Sequence, residues 1–155
     1  MKRTAILFTL AVLFVGGVNV CFAQSPHMGT WKLNEAKSKF GPGATKNNTV
    51  VYEAAGDSVK VTVDGTDGAG NPSHSEWTGK FDGKYYPVTG DPASDMRAYR
   101  RINNHVMALT GKKDGKINLT GRIVVSANGR TRTVTTTGAN SKGKRVSSRA
   151  VYDKQ

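Results

Sequence analysis

The sequence predicts an all-β protein, a single up-and-down antiparallel β-barrel of about ten strands. Turn-forming residues recur about every eleven to fourteen positions, which suits strands joined by short loops and leaves no room for crossover helices. Between the turns, Val, Thr and aromatic residues alternate with polar ones, as in strands with one buried face. An open meander of this length would have two exposed edges, and closing it into a barrel removes both.

The turn signals are clusters of Gly, Asn and Asp, residues that tolerate the backbone conformations of tight turns. In chain order they lie at Gly56-Asp57, 67–71, Asp82-Gly83, 90–92, Asn103-Asn104, Asp114-Gly115, Asn128-Gly129 and 138–143. These eight turns separate nine strands, and a further strand at 29–33 makes ten.

Apolar residues in the candidate strands share a parity, so side chains two residues apart are predicted to face the barrel interior together. The sets are Val59, Val61 and Val63; Ile117, Leu119, Ile123 and Val125; and Trp77 with Phe81. A threonine-rich segment around Val134 also suits a strand, because β-branched residues favour extended backbone.

Residues 1–23 have the pattern of a signal peptide. Lys2 and Arg3 form a basic start, and an apolar run over 5–20 is too short for a comfortable membrane span. Small residues flank Phe22 at the end of the run. We therefore expect cleavage after Ala23 and a secreted or periplasmic protein.

Lipid attachment at Cys21 is the alternative fate of the leader. Val20 argues against it, since the residue before a lipidated cysteine is normally small. The remaining chain, 24–155, is long enough for one domain and contains no further cysteine, so packing and sheet hydrogen bonds must stabilise it. It also contains no second apolar stretch long enough to span a bilayer.

The domain is strongly basic. Without Lys2 and Arg3, the formal net charge falls from +12 for the whole chain to about +10. Such a charge favours association with anionic envelope surfaces, although a solvated basic exterior is the simpler explanation. Nucleic acid is not an expected partner, because the charge is dispersed and no basic run interleaves aromatic residues.

The two ends of the domain resemble a known superfamily. The first strand contains Gly29-Thr30-Trp31, and the chain ends with a strand that contains Ala150-Val151-Tyr152. With ten strands in simple order, these segments resemble the lipocalin and fatty-acid-binding-protein superfamily, the calycins, and in strand number its fatty-acid-binding branch. The resemblance implies a barrel that encloses a small apolar or amphiphilic ligand.

Two features depart from that family. Its members insert a helix-turn-helix lid after the first strand, whereas residues 34–46 are few and are interrupted by Gly41-Pro42-Gly43. The family also commonly carries Arg-x-Tyr in the last strand to hold a carboxylate. Here Arg149 and Tyr152 are three residues apart, so they are predicted to point to opposite faces.

The candidate ligand-binding residues are inward-facing aromatic and basic side chains. Trp31 is either the floor of a cavity or, as packing favours, a core plug stacked under Arg149 of the last strand. Trp77, Phe81, Tyr152 and one of the adjacent Tyr85 and Tyr86, with Tyr85 as the first choice, are candidates to line the cavity. Core packing explains these aromatic residues equally well.

An inward-facing guanidinium is the group predicted to recognise an anionic head, because it forms paired hydrogen bonds with a carboxylate. Arg122 and Arg132 are the candidates, together with Arg149, and one of the adjacent Arg100 and Arg101 could also point inward. A solvated outer position is the plainer explanation for each of them.

No arrangement of residues predicts catalysis, a metal or a cofactor. His74 and Glu76 share a strand face, but two ligands on an open face make a weak metal site. The serines lack flanking elbow glycines and the histidines are isolated, so a Ser-His-Asp triad is not supported. We therefore expect a protein that is not an enzyme.

Two hypotheses of function follow. The first is a secreted or periplasmic carrier that holds a small apolar or fatty-acid-like ligand inside the barrel. The second is a non-carrier interaction protein with a filled barrel, whose basic surface docks on anionic envelope components. Surface docking should weaken steeply with salt, whereas binding inside the barrel should be nearly insensitive to it.

Overall fold

The computed structural model describes residues 25–140 and 142–155, which form a closed antiparallel barrel of ten strands. The strands are β1 (Gly29–Leu33), β2 (Lys46–Ala55), β3 (Ser58–Thr66), β4 (Pro72–Gly79), β5 (Tyr86–Thr89), β6 (Met96–Asn103), β7 (Val106–Lys113), β8 (Lys116–Val125), β9 (Thr131–Ala139) and β10 (Arg145–Lys154). The predicted all-β class and ten-strand barrel are confirmed. The predicted leader, with Cys21 and the cleavage site, lies outside the described residues.

The last strand closes the barrel against the first. β10 pairs with β1 through Trp31 opposite Lys154 and Leu33 opposite Tyr152, while its other edge pairs with β9. Beyond β1 the chain continues along β10, where Lys39 and Arg149 form a further bridge. Every strand therefore has a hydrogen-bonded neighbour on both sides, which is the closure that the sequence predicts.

The segment after β1 does not form a helical lid. Its helical part is one 3-10 turn, Glu35–Lys37, whose backbone is capped by Asn34. No helix within 25–140 and 142–155 is long and apolar enough to cross a bilayer. The departure from the family pattern that the sequence indicates at 34–46 is therefore present in the structure.

Two-residue turns set the register of the hairpins where the sequence places them. Asp114 and Gly115 join β7 to β8 with φ of 49° and 75°. Positive φ at both positions is the requirement of a type I′ turn, whose twist matches that of the flanking strands. Asp114 is the one non-glycine residue with positive φ in the described chain.

The connections fall at two ends of the barrel. We call the mouth the end formed by the connections 34–45, 67–71, 90–95, 114–115 and 140–144, with residue 141 undescribed. We call the base the opposite end, formed by 25–28, 56–57, 80–85, 104–105 and 126–130. The two ends differ in composition, because most of the large aromatic side chains lie toward the base.

The base half of the interior is filled with aromatic rings. Trp77 stacks on Phe81 and makes an edge contact with Tyr99 at 4.7 Å between ring centroids. The Nε1 atom of Trp77 donates to the carbonyl of Arg97 at 3.0 Å, and that of Trp31 donates to the carbonyl of His27 at 2.9 Å. Both buried indoles therefore satisfy their one donor while they fill the base.

A β-bulge changes the predicted face of Ile117. The register of β7 and β8 slips between Gly111, opposite Leu119, and Lys112, opposite Ile117. The extra residue, Asn118, lines the barrel interior instead, and Ile117 is 59% exposed. The prediction that Ile117 faces inward with Leu119 is therefore wrong, since a bulge shifts the side-chain parity by one residue.

Candidate ligand cavity

A cavity of about 630 Å³ occupies the half of the barrel nearer the mouth. Its wall is formed by apolar side chains of several strands: Val50, Val63, Leu109, Leu119, Ile123 and Val134. Tyr52, Tyr99, Arg132 and Tyr152 contribute polar groups at the inner end, and Arg97 together with Asn, Asp, Ser and Thr side chains contributes polar groups nearer the mouth. Apolar walls with converging polar groups are common in small-molecule sites.

The space exists because inward positions near the mouth carry small side chains. On β9 these are Thr136 and Gly138, and on β10 they are Val146 and Ser148. The equivalent depth at the base is occupied by two indoles. Alternating residues of a small barrel either fill its interior or leave it open, and this chain does both at different depths.

Arg132 lies at the inner end of the cavity and is only 4% exposed. Its Nη2 donates to the hydroxyl oxygen of Tyr52 at 2.7 Å. The guanidinium carbon lies 4.7 Å from the centroid of the Tyr52 ring and 5.4 Å from that of Tyr152. Trp31 completes the surroundings at 5.9 Å.

The guanidinium has no anionic partner among the described residues. Its Nε and Nη1 atoms are buried without a hydrogen-bond acceptor, and Arg132 takes part in no ion pair within 25–140 and 142–155. Cation–π contacts stabilise the charge but do not neutralise it. The inner end of the cavity therefore carries one full positive charge and two guanidinium nitrogens without an acceptor.

The neighbouring tyrosines do not supply the missing negative charge. Burial raises the pKa of Tyr152 to about 12, although Arg132 acts in the opposite direction. Burial likewise raises the pKa of Tyr52 far above its usual range. Both phenols are therefore neutral at physiological pH, and each presents a hydroxyl group rather than a phenolate.

Arg97 is the second buried guanidinium on the cavity wall, and it differs from Arg132 in one respect. Its Nη2 forms an ion pair with the Asp91 carboxylate at 2.5 Å. Its Nε is buried without an acceptor. The cavity therefore contains one neutralised arginine toward the mouth and one unneutralised arginine at the inner end.

His27 lies at the base, near Arg132, and is fully buried. Both ring nitrogens lack a hydrogen-bond partner among the described residues. Burial, followed by the charge of Arg132, lowers the pKa of His27 from 6.5 to about 4. The imidazole is therefore neutral at physiological pH and adds no charge to the inner end of the cavity.

Of the predicted ligand-binding residues, Arg132 and Tyr152 line the cavity. They are direct cross-strand partners in β9 and β10, so their side chains share the inner face. Trp31, Trp77 and Phe81 also point inward, but they pack in the aromatic base rather than on the cavity wall. For Trp31 this agrees with the core-plug interpretation that the sequence favours.

Arg149 and Arg122 lie on the outer face, away from the cavity. The prediction that Arg149 stacks on Trp31 is wrong, since Arg149 donates to the carbonyl of Lys37 at 3.3 Å. The cations over the Trp31 ring are Arg132 and Lys154 instead. Parity explains the difference, because Arg149 has the orientation opposite to that of Tyr152.

Tyr85 is the first candidate that the sequence offers for an aromatic residue on the cavity wall, but the structure places it outside the cavity lining. Lys112 stacks on its ring at 3.9 Å from the centroid. Its neighbour Tyr86 points inward and packs edge-on against Trp77 at 5.7 Å. Arg100 is exposed on the outer face, whereas Arg101 pairs across the sheet with buried Met107 and lies 5.9 Å from the centroid of the Phe81 ring. The expectation that one of the two points inward therefore holds for Arg101, at the exposed base end and away from the cavity wall.

Sequence reasoning missed Tyr52 and Arg97. Tyr52 shares the parity of Val50 on β2, and Arg97 shares the parity of Tyr99 on β6. These two-residue spacings were the available signal. On β6 the sequence analysis singles out Arg100 and Arg101, which are neighbours at the exposed end of the strand, and not Arg97.

The His74 and Glu76 pair is an exposed polar cluster. His74 Nδ1 lies 2.7 Å from the Asp64 carboxylate and its Nε2 lies 3.7 Å from Glu76. The hydrogen bond with Asp64 raises the pKa of His74. No group of three or more potential metal ligands occurs in the part of the chain that the structure describes.

Comparisons with known proteins give likenesses to solved structures. No protein-family model matches the chain, and no curated protein matches it. Among solved structures it is similar to a redesigned β-barrel at 15% sequence identity and a TM-score of 0.49, over 88% of this chain and 97% of that chain. Arguments about function therefore depend on the geometry of the cavity itself.

Proposed function

We propose that this protein is a carrier that holds a small amphiphilic molecule inside its barrel, with an anionic head at Arg132. On this proposal it acts as a calycin-like binding protein in a secreted or periplasmic setting, and it is not an enzyme. The apolar wall of the cavity would enclose the hydrocarbon part of the ligand, and the guanidinium would bind its head.

The unneutralised guanidinium of Arg132 is the observation that carries this proposal. A buried charge without a partner is strongly unfavourable, so buried arginines are nearly always paired with a carboxylate or other anion. Here two guanidinium nitrogens are buried without an acceptor, and both neighbouring phenols are neutral. A bound carboxylate would accept from one edge of the guanidinium and supply the missing charge.

The dimensions suit one hydrocarbon chain extended toward the mouth. Arg132 is the second residue of β9, and the cavity lining continues along that strand to Ala139. Seven residues of extended strand span about 23 Å. The volume of about 630 Å³ falls inside the usual range of ligand pockets. The filled-barrel alternative is less well supported, since it requires side chains to occupy this space.

The proposal is tested by titrating the protein with a fluorescent fatty acid and with the same probe as its methyl ester. We expect saturable binding of the acid, and weaker binding of the ester because it lacks the charge that pairs with Arg132. Arg132→Met should reduce affinity for the acid by roughly 10- to 100-fold, the range for a hydrogen-bonded buried charge, and leave the ester nearly unchanged.

Arg149→Met is the matched control, because it removes the same side-chain type from the outer face. It should bind acid and ester as the unmodified protein does. Equal affinity for acid and ester, or equal losses in the two variants, would contradict head-group recognition by Arg132. Absence of saturable binding for both probes would contradict carriage of fatty-acid-like molecules.

A further inference from the structure

The hairpin turns on one side of the mouth carry a cluster of unpaired cations. Lys113 and Lys116 flank the β7–β8 turn, and Lys142, Lys144 and Arg145 follow one another in and after the β9–β10 connection. All five are exposed, and none forms an ion pair within the described residues. We call these five residues, together with Ile117, the basic sector.

The cations of the basic sector are close together in space. β8 lies between β7 and β9, and β9 is followed by β10, so the two turns are about two strand spacings apart, roughly 10 Å. Asp95 and Asp114 are the nearby carboxylates. Asp95 accepts from the backbone N–H of Asp114 at 2.9 Å beneath the turn. Five cations against two carboxylates leave the sector positive.

Ile117 adds an apolar side chain in the middle of these charges. The bulge at Asn118 turns it outward, and its exposure of 59% is the largest among the exposed bulky apolar side chains of the described chain. It directly follows Lys116 and pairs across the sheet with Lys112. Bulges commonly serve to re-aim a side chain, and here the result is an exposed isoleucine at the rim.

We propose that the basic sector is a docking surface for an anionic lipid bilayer, with the mouth of the barrel turned toward the membrane. Clustered lysines are attracted to anionic head groups, and one exposed aliphatic side chain beside them can enter the interface. A protein partner is less well supported, because one isolated apolar side chain does not provide the desolvated centre of a protein–protein interface. The inference does not depend on a ligand in the cavity.

The charge component is tested by co-sedimentation with vesicles made of equal parts of phosphatidylcholine and phosphatidylglycerol. Lys113→Gln/Lys116→Gln/Lys142→Gln should weaken binding roughly a hundredfold, given the contribution of each lysine near an anionic surface. Lys84→Gln/Arg122→Gln/Arg130→Gln removes the same charge away from the mouth and should change binding at most about threefold if attraction is local. Binding should fall with added salt, and phosphatidylcholine vesicles should retain no protein.

The insertion component is tested with a dye attached to an introduced cysteine. The one cysteine of the sequence, Cys21, lies in the predicted leader, so the mature domain has none of its own. Ile117→Cys and Ile102→Cys place a polarity-sensitive dye at the mouth and at the base, where Ile102 is 44% exposed. The dye at 117 should shift to the blue on adding the anionic vesicles, and the dye at 102 should not. Because both sites are exposed, neither variant should prevent folding.

Three outcomes would overturn the proposal: equal losses in the two triple variants, equal dye responses at the two positions, or binding to heparin without binding to anionic vesicles. The last result would assign the sector to a soluble or cell-wall polyanion. Titration of the triple variants with the fluorescent fatty acid in the absence of vesicles is expected to be normal. Failure of docking and failure of carriage are therefore observed separately.

Discussion

The base and the mouth of this barrel are built from the same ten strands but have opposite interiors. At the base, Trp31 and Trp77 fill the cross-section, and each donates its indole N–H to a backbone carbonyl. Toward the mouth, residues such as Thr136 and Gly138 leave a cavity at equivalent inward positions. The base half therefore stabilises the fold through its packed aromatic core, and the mouth half leaves a cavity.

The boundary between the two halves is a layer around Arg132. Below it the interior is closed by aromatic rings, and above it aliphatic, small and polar side chains line the cavity. The guanidinium in this layer is unneutralised, and two of its nitrogens have no acceptor. The following predictions test whether the two halves have separate roles in stability and binding.

The largest expected effect is the loss of a base indole. Trp77→Ala should destabilise the protein by about 3–5 kcal/mol, because it removes the ring that packs against Phe81, Tyr86 and Tyr99. Urea unfolding measures the change. Thr136→Ala in the mouth half is the matched truncation and should cost less than about 1 kcal/mol, since that side chain faces a cavity. Similar losses at the two positions would contradict the division into a packed and an open half.

The second prediction concerns acid stability at the base. The folded-state pKa of His27 is lowered from 6.5 to about 4, so the unfolded chain binds more protons between these values. The free energy of unfolding contributed by this group therefore falls as pH drops from 6.5 to 4, by roughly 3 kcal/mol in total. Urea unfolding of the unmodified protein and of His27→Leu across this range measures the difference.

His27→Leu should lose this part of the pH dependence and be at least as stable at pH 7, because it also removes two buried nitrogens without partners. The carboxylates and His74 titrate in both proteins, so the difference between the two profiles isolates His27. His74→Leu is the exposed control and should not remove the destabilisation between pH 6.5 and 4. Parallel profiles for the unmodified protein and His27→Leu would show that His27 does not titrate as described.

The third prediction separates function from stability at the boundary layer. Arg132→Met/Tyr52→Phe removes the buried charge and its hydroxyl partner together, so the Tyr52 hydroxyl is not left behind without Arg132. The ligand-free protein should become more stable by about 1–3 kcal/mol, as when a buried charged group is replaced by apolar residues. Thermal unfolding measures it, and a loss of stability would assign Arg132 a structural role instead.

The smallest expected effect on stability lies at the rim. Ile117→Ser should change the free energy of unfolding by less than about 0.5 kcal/mol, because the side chain is already mostly exposed. Its expected effect is on vesicle binding alone. A substantial loss of stability, measured by the same urea unfolding, would indicate that Ile117 contributes packing that its exposure does not suggest.

The sequence predicts the barrel well because its signals are local. Asp114-Gly115 shows where a hairpin turns, and the alternation of Val59, Val61 and Val63 identifies an inward face. Closure of the barrel follows from the need to cover two strand edges. These features depend on neighbours in the chain, so they can be recognised without knowledge of distant contacts.

The candidate site was predicted less completely, because its contacts cross the barrel. Arg132 donates a hydrogen bond to Tyr52, which is 80 positions earlier in the chain, and no local sequence pattern predicts this contact. The bulge at Asn118 inverted the expected face of Ile117, since an inserted residue puts the positions before it and after it out of phase. Arg149 was assigned to Trp31 by its place in the last strand, whereas the inward arginine comes from the neighbouring strand.

The seam between β1 and β10 makes closure of the barrel depend on the last strand. β10 forms hydrogen-bonded ladders with both β1 and β9, so loss of the final ten residues would open two ladders at once. Two bare strand edges would then be available for pairing with other chains. Trp31 lies in β1 beside this seam, so a chain without β10 would leave it exposed and would be prone to aggregate.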